Sequence, residues 1–250
     1  MTIFYYTATG NSLAVAKAIG GTLISIPQAI DSDNLHFKDD AIGLVFPIYW
    51  WDLPIMVRRF IEKATFETDY LFAIGTYGSL PGAAMTSLQK RAKIKGYSFT
   101  YTNQIKMLDN YLPNFDMVRQ VDKLPKKLVP EQTAIIVADI ENRKQKTVGA
   151  NIGKRAMTAL FRQIFKPERN ALKYTVNEKC NKCGVCAQVC LAGNITANEK
   201  VEFGEKCEGC LACLHLCPNV SIHWKGEKND KRWLHPDVSR NEIIKANNRC

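Results

Sequence analysis

The sequence predicts an α/β chain in two parts: a doubly wound, parallel, five-stranded sheet followed by a small α+β domain organised by cysteine. Three observations carry this. Strand-like apolar segments alternate with amphipathic helix-like segments through residues 2–106. The first 179 residues contain no cysteine. Eight of the nine cysteines then fall in two runs of matching spacing, Cys180-x2-Cys183-x2-Cys186-x3-Cys190 and Cys207-x2-Cys210-x2-Cys213-x3-Cys217.

Residues 2–6 are β-branched and aromatic, as a buried strand requires. Thr7-Ala8-Thr9-Gly10-Asn11-Ser12 is a polar loop that opens the helical stretch 13–19, which Gly20-Gly21 halts. Residues 22–26 read as a second short strand. Residues 41–46 form a third with no polar face, the pattern of a strand covered on both sides. A helix over 55–64, a strand over 70–76, a helix over 83–94 and a strand over 98–106 complete the alternation. Such a sheet binds its ligands beyond the carboxyl ends of the strands.

Residues 109–115 make a turn-rich loop with two aromatics, placed to fold over that ligand end. Helical periodicity returns over 130–144 and 147–165. In the second stretch Val148, Ile152, Ala156, Met157, Leu160, Phe161, Ile164 and Phe165 share one apolar stripe, with Lys154, Arg155 and Arg162 off it. A basic amphipathic helix can lie on a membrane or a partner. The simpler expectation is packing on the sheet domain with the basic face in solvent. The chain thus divides into a sheet domain (1–130), a helical connector (131–171), a cysteine domain (172–225) and a tail (226–250) that packs back as strand or coil. Cys250 reads as a free surface thiol.

A chain of 250 residues, 46% hydrophobic, is long enough for a substantial core. Its 34 Lys+Arg against 24 Asp+Glu give a formal +10. The excess is spread thinly, with no basic run interleaved with aromatics, so no nucleic-acid partner is expected. No apolar run reaches the length of a membrane span. The N-terminus lacks the basic region and cleavage site of a secretory signal. The expected compartment is therefore cytoplasmic, where clustered thiols serve metals rather than disulfides. No G-x-G-x-x-G in a second βαβ unit marks a nicotinamide site.

The three loops at the carboxyl ends of the strands have distinct chemistry. The first offers hydroxyls and free helix-terminal N–H groups to an anion; by itself it is equally an ordinary helix cap. It has no G-K-[ST], so a monophosphate suits it better than a triphosphate. The second, Pro47-Ile48-Tyr49-Trp50-Trp51-Asp52-Leu53-Pro54, carries three adjacent aromatics. The third, Thr76-Tyr77-Gly78-Ser79-Leu80-Pro81-Gly82, has glycines that let backbone approach a ligand. Together they suit a flat aromatic ligand with one phosphate, and flavin mononucleotide (FMN) fits. Residues 1 to about 110 resemble the flavodoxin family. That resemblance implies that Thr7, Thr9, Gly10, Asn11 and Ser12 bind phosphate. It implies that Pro47, Tyr49 and Trp50 line one side of the flavin ring and Thr76, Tyr77, Gly78 and Ser79 the other. Core or surface packing of Tyr49, Trp50 and Trp51 is the alternative.

Three cysteines two residues apart can wrap three corners of a four-iron cube, while the fourth serves the other cube. This spacing assigns Cys180, Cys183, Cys186 and Cys217 to one 4Fe-4S cluster, and Cys207, Cys210, Cys213 and Cys190 to a second. The runs are similar to those of bacterial two-cluster ferredoxins, with Cys217-Pro218 ending the second and Leu191 standing where proline is usual in the first. Zinc would want two separated pairs per ion. The four histidines form no ligand group, and His215, inside the second run, reads as exposed or as a polar neighbour of a cluster. The whole chain is similar to a family of flavodoxin-ferredoxin fusion proteins of anaerobic bacteria, which implies electron transfer. Two oxidised clusters and a flavin phosphate would bring the working charge to about +4. The expected role is a redox carrier for a protein partner, with no catalytic acid or base. The alternative is a flavoenzyme that reduces a small-molecule acceptor, a quinone or nitro compound.

Overall fold

The computed structural model describes residues 1–248, so the reading of Cys250 lies outside the described residues. The chain runs β1 (Thr2–Tyr5), α1 (Asn11–Ile19), β2 (Thr22–Ser25), α2 (Ile26–Ala29), β3 (His36–Lys38), β4 (Ala41–Pro47), α3 (Ile55–Lys63), β5 (Thr65–Glu67), β6 (Tyr70–Tyr77), α4 (Ala84–Ile94) and β7 (Tyr101–Lys106). Five of these strands form one parallel sheet in the order β2-β1-β4-β6-β7. Counted within the sheet, this is the 2-1-3-4-5 order of flavodoxin-like doubly wound folds. Residues 41–46 are buried throughout, as their lack of a polar face requires.

Two departures from the expected elements have local causes. The last strand begins at Tyr101 rather than residue 98, because Phe99 is bridged by the Gln89 side chain through both its N–H and its C=O. β3 and β5, only three residues each, pair in parallel beside the main sheet and are too short to show a period. They seat Phe37 and Phe66 on Phe4 and Phe60, with Phe4–Phe37 and Phe4–Phe60 ring centroids 4.4 and 5.1 Å apart.

Three further helices follow: α5 (Met117–Asp122), α6 (Val129–Glu141) and α7 (Ile152–Ile164). α6 packs on α1 and β7, where the Tyr101 hydroxyl donates to Asp139 Oδ2 at 2.9 Å. α7 meets the body through Thr158, Phe161, Arg162 and Phe165. Much of the apolar stripe read from the sequence stays outside, with Ile152 82% and Ile164 69% exposed. The physical reason is the surface it meets. That surface is the Trp50-Trp51-Asp52 loop, which offers rings and a carboxylate and so selects phenylalanine and arginine.

The cysteine-rich part contains β8 (Tyr174–Val176), α8 (Val185–Gln188), β9 (Ile195–Ala197), β10 (Val201–Phe203), α9 (Ala212–His215) and β11 (Ile222–Trp224). β8 pairs antiparallel with β11, and β9 with β10, giving a small α+β unit. It shares its core with the rest of the chain. Val189, Leu191, Ala212 and Leu216 join the apolar cluster of the main sheet, while Ile222 and Trp224 pack with Leu108, Leu112 and Met117. The tail crosses the phosphate-type loop as coil and ends in α10 (Arg240–Asn247), started by a capping box between Ser239 and Glu242. No helix among the described residues is long and apolar enough to cross a membrane.

Candidate functional site

A cavity of about 370 Å³ opens at the carboxyl ends of β1, β4 and β6. Its lining includes Thr7, Thr9, Asn11, Ser12, Pro47, Tyr49, Trp50, Thr76, Tyr77, Gly78 and Ser79, so the fold brings the three sequence-selected loops together. Gly10 stands beside them at φ 93, turning the loop into α1, and its N–H donates to Thr7 Oγ1 at 3.1 Å. A Cβ there would meet His235 of the tail at 2.9 Å. Ser12 and Thr76 hydroxyls share a hydrogen bond of 2.9 Å, which ties the first loop to the third. These hydroxyls and the first-turn amides of α1 suit a phosphate without a lysine.

The walls are set by contacts that no local sequence signal announces. Trp50 and Trp51 both adopt left-handed backbone, φ 53 and 65, which costs about 1–2 kcal/mol per non-glycine residue. α7 holds them there. Phe165 stacks on Trp50 with centroids 3.4 Å apart, Phe161 lies 4.2 Å from Trp51, and the Arg162 Nε donates to Asp52 Oδ2 at 2.7 Å. The 109–115 loop contributes Asp109, Asn110, Tyr111, Asn114 and Phe115 to the lining, as its position in the sequence suggested. Gly78 must be glycine, since a Cβ would collide with Asp109. The Ser79 hydroxyl donates to Asp109 Oδ2 at 2.7 Å.

None of the eight cysteines of the two runs is in a disulfide. Cys207, Cys210 and Cys213 each interact electrostatically with Cys190, while Cys186 does so with Cys217 and Cys183. Cys213 is in electrostatic range of Cys186 of the first run as well. Among the described residues no three His, Cys, Asp or Glu side chains converge as they would around a single ion. A four-iron cube asks its four thiolates to spread rather than converge. Burial pushes the Cys186 and Cys207 thiols up to about 11 and those of Cys210 and Cys213 well above the usual value. Cys217, despite burial, is held below it by hydrogen bonds from the Ser221 side chain and backbone. Backbone N–H groups also reach Cys190 Sγ from Asn194 (3.2 Å) and Cys207 Sγ from Gly209 (3.4 Å). The Tyr6 hydroxyl is fully buried without a hydrogen-bond partner among the described residues, in electrostatic range of Glu208 and of Cys210 and Cys190. A donor stranded beside a thiol set fits a site built to hold an acceptor-rich group such as an iron-sulfur cluster.

The second run is docked directly on the cavity: Gly209, Cys210 and Leu211 are part of its lining. Glu208, 7% exposed, secures this loop. Its carboxylate accepts from Ile55 N at 2.9 Å and Met56 N at 2.8 Å, capping α3, whose own N-cap Pro54 supplies no side-chain bond. Burial pushes its pKa up to about 7 against the pull of those two amides. His215, expected at the surface, is 4% exposed. Burial lowers its pKa to about 4, so the ring is neutral. The Trp233 N–H donates to Nδ1 at 3.1 Å, which leaves the proton on Nε2 to donate to the Asn110 carbonyl at 2.8 Å.

No protein-family model and no curated protein matches the sequence. Among solved structures, the chain is similar in part to a Bacteroides uniformis protein assigned as a flavoprotein (18% identity, 48% of this chain and 95% of that one, TM-score 0.33). It is similar also to the two-electron reduced flavodoxin of Megasphaera elsdenii (20%, 41% and 83%, TM-score 0.32). A third is an NAD(P)H:quinone oxidoreductase from Methanothermobacter marburgensis (11%, 56% and 94%, TM-score 0.28). The flavodoxin-like architecture of this chain is carried by its own parallel strand order, β2-β1-β4-β6-β7.

Proposed function

We propose that the protein transfers electrons between FMN held in the cavity and two 4Fe-4S clusters held by the cysteine runs, as a cytoplasmic carrier or converter for a redox protein partner. The observation that carries this reading is the shared lining: Cys210, from the second cysteine run, borders the same cavity as the phosphate-type and aromatic loops. When bound, FMN supplies one- and two-electron exchange and a 4Fe-4S cluster supplies one-electron exchange. Thr7, Thr9, Gly10, Asn11 and Ser12 would hold the phosphate. Pro47, Tyr49 and Trp50 would flank one side of the flavin ring, and Thr76, Tyr77, Gly78 and Ser79 the other. Cys180, Cys183, Cys186 and Cys217 would ligate one cluster, and Cys190, Cys207, Cys210 and Cys213 the other. Joining both sites in one chain makes transfer intramolecular and independent of protein concentration.

At about 370 Å³ the cavity falls within the roughly 300–1,000 Å³ of single-ligand pockets, as one bound flavin requires. The test is anaerobic reconstitution, expected to give about eight irons and one flavin per chain. A stoichiometry far below that removes the assignment. Reduction with dithionite followed by quinone or nitro oxidants is expected to give slow reoxidation. Rapid turnover without a protein partner would overturn the carrier reading in favour of a flavoenzyme.

A further inference from the structure

His215 lies between two sites that the proposed function treats separately. It sits on α9, two residues from Cys213 and two from Cys217, which belong to different ligand sets. Its Nε2–H donates to the Asn110 carbonyl, and the Asn110 side-chain amide donates to Thr9 Oγ1 at 2.7 Å. On the other side of the ring, Nδ1 accepts from the Trp233 N–H, and the Trp233 indole N–H donates to Asn11 Oδ1 at 3.0 Å. The Asn11 side-chain amide then donates to the Leu108 carbonyl at 3.3 Å, two residues before Asn110. One buried imidazole therefore reaches both flanks of the phosphate-type loop, Thr9 through Asn110 and Asn11 through Trp233. A neutral imidazole with one donor and one acceptor is the side chain that satisfies both arms at once.

We propose that His215 is a positioning residue that couples flavin binding to cluster assembly, so that each cofactor raises the affinity of the chain for the other. The inference rests on the FMN and two-cluster reading. Ligation of Cys213 and Cys217 fixes the short segment between them and thus the ring. The ring fixes Asn110 and Trp233, and these hold Thr9 and Asn11 in place before phosphate arrives. With iron removed, the segment between Cys213 and Cys217 would lose that restraint, and flavin binding would have to hold both arms without it. Linkage makes the effect reciprocal: the factor by which clusters tighten flavin binding equals the factor by which flavin tightens cluster retention.

The experiment uses the full chain under anaerobic conditions. FMN affinity is measured by quenching of flavin fluorescence, once with clusters reconstituted and once after removal of iron by a chelator. The wild-type ratio of dissociation constants is expected to be about tenfold, within the range of about 5–150-fold typical of coupled sites. His215→Ala should bring that ratio near one. His215→Gln, which keeps a donor for the Asn110 carbonyl, should recover part of it. Asn110→Ala, which breaks the arm to Thr9 without touching the cysteine helix, should also shrink it. Two results overturn the proposal: a wild-type ratio near one, or a His215→Ala chain whose two affinities fall by the same factor, as a purely structural role would produce. A wild-type chain that takes up no flavin or no iron defeats instead the reading on which the proposal rests.

Discussion

Replacing Glu208 by alanine should loosen the joint between the cysteine-rich unit and the sheet. The carboxylate caps α3 by accepting from Ile55 and Met56 amides, and α3 has no side-chain cap of its own. Two charge-assisted bonds would ordinarily be worth several kcal/mol. Here burial pushes the carboxyl pKa up to about 7, so desolvation offsets much of that strength. What remains is the loss of a helix cap, about 0.5–2 kcal/mol, and an unsatisfied amide at Met56, about 1–3 kcal/mol, because Met56 is only 6% exposed. We expect a net loss of about 2 kcal/mol for Glu208→Ala and about half that for Glu208→Gln, which keeps one acceptor. For a chain of this size the alanine variant should melt about 4–8 °C lower. Because Gly209 to Leu211 line the cavity, the same variant should release FMN faster. The assays are thermal unfolding at saturating flavin and stopped-flow release of bound flavin. A Glu208→Ala protein that melts within about 1 °C of wild type and releases flavin at the wild-type rate would refute the idea that this carboxylate fastens the unit to the cavity.

Tyr6→Phe removes a buried hydroxyl that has no hydrogen-bond partner among the described residues. In iron-free chains it should leave stability unchanged or raise it by about 1 kcal/mol. In the cluster-loaded protein, loss of a donor facing Cys210 and Cys190 should move one cluster to more negative potential and leave the other in place, as read by a redox titration followed by electron paramagnetic resonance. Gly78→Ala drives a methyl group into Asp109, and at an overpacking cost of about 1–3 kcal/mol FMN affinity should fall by about 5- to 150-fold, measured by fluorescence quenching. Glu242 has its pKa lowered to about 2 by the Ser239 backbone and the Lys17 ammonium, below its ordinary carboxylate value. Its stabilisation is therefore present above about pH 4.5 and is lost as pH falls from there toward 2. With its side chain 40% exposed, solvent screening reduces this to about 1 kcal/mol or less. Glu242→Gln should weaken hydrogen-exchange protection of α10 at pH 7, with the difference from wild type closing as pH drops below about 4.5.

The parts of this fold that were legible in the sequence are those governed by short-range rules. The five sheet strands show themselves by β-branched and aromatic content, and residues 41–46 further reveal burial on both faces because they hold no polar residue. The phosphate-type loop is legible because Gly10 must turn a strand into a helix within a few residues. Even α10 had a signal, Ser239-x-x-Glu242, that the reading of the tail as strand or coil passed over. The walls of the cavity were legible only in part. Phe161 and Phe165 sit in an amphipathic pattern that pointed to a face but not to which side would be covered. That choice was made by Trp50, Trp51 and Asp52, about 110 residues upstream. The burial of Glu208 and His215 has no local signal, since their partners are Ile55, Met56, Asn110 and Trp233.

The cysteine runs nevertheless contain more information than ligand spacing. In a C-x2-C-x2-C-x3-C segment the cysteines are committed to the cluster, so the intervening positions alone meet the surroundings. In the second run these are Glu208, Gly209, Leu211, Ala212, Leu214, His215 and Leu216, every one buried. In the first they begin Asn181-Lys182, exposed, and the neighbouring Cys183 is itself exposed. The first run also carries apolar intervening residues, Val185, Ala187 and Val189, with Val189 fully buried, so the two runs differ in their opening positions: exposed Asn181-Lys182 against buried Glu208-Gly209. Gly209, Cys210 and Leu211 line the flavin-type cavity, whereas Asn181, Lys182 and Cys183 are exposed. Under the proposed function, a cluster held by Cys210 would be the one beside the flavin, and a cluster held by the exposed Cys183 would be the one nearer to solvent. Spacing alone treats the two runs as equivalent; the burial of the residues between the cysteines distinguishes them.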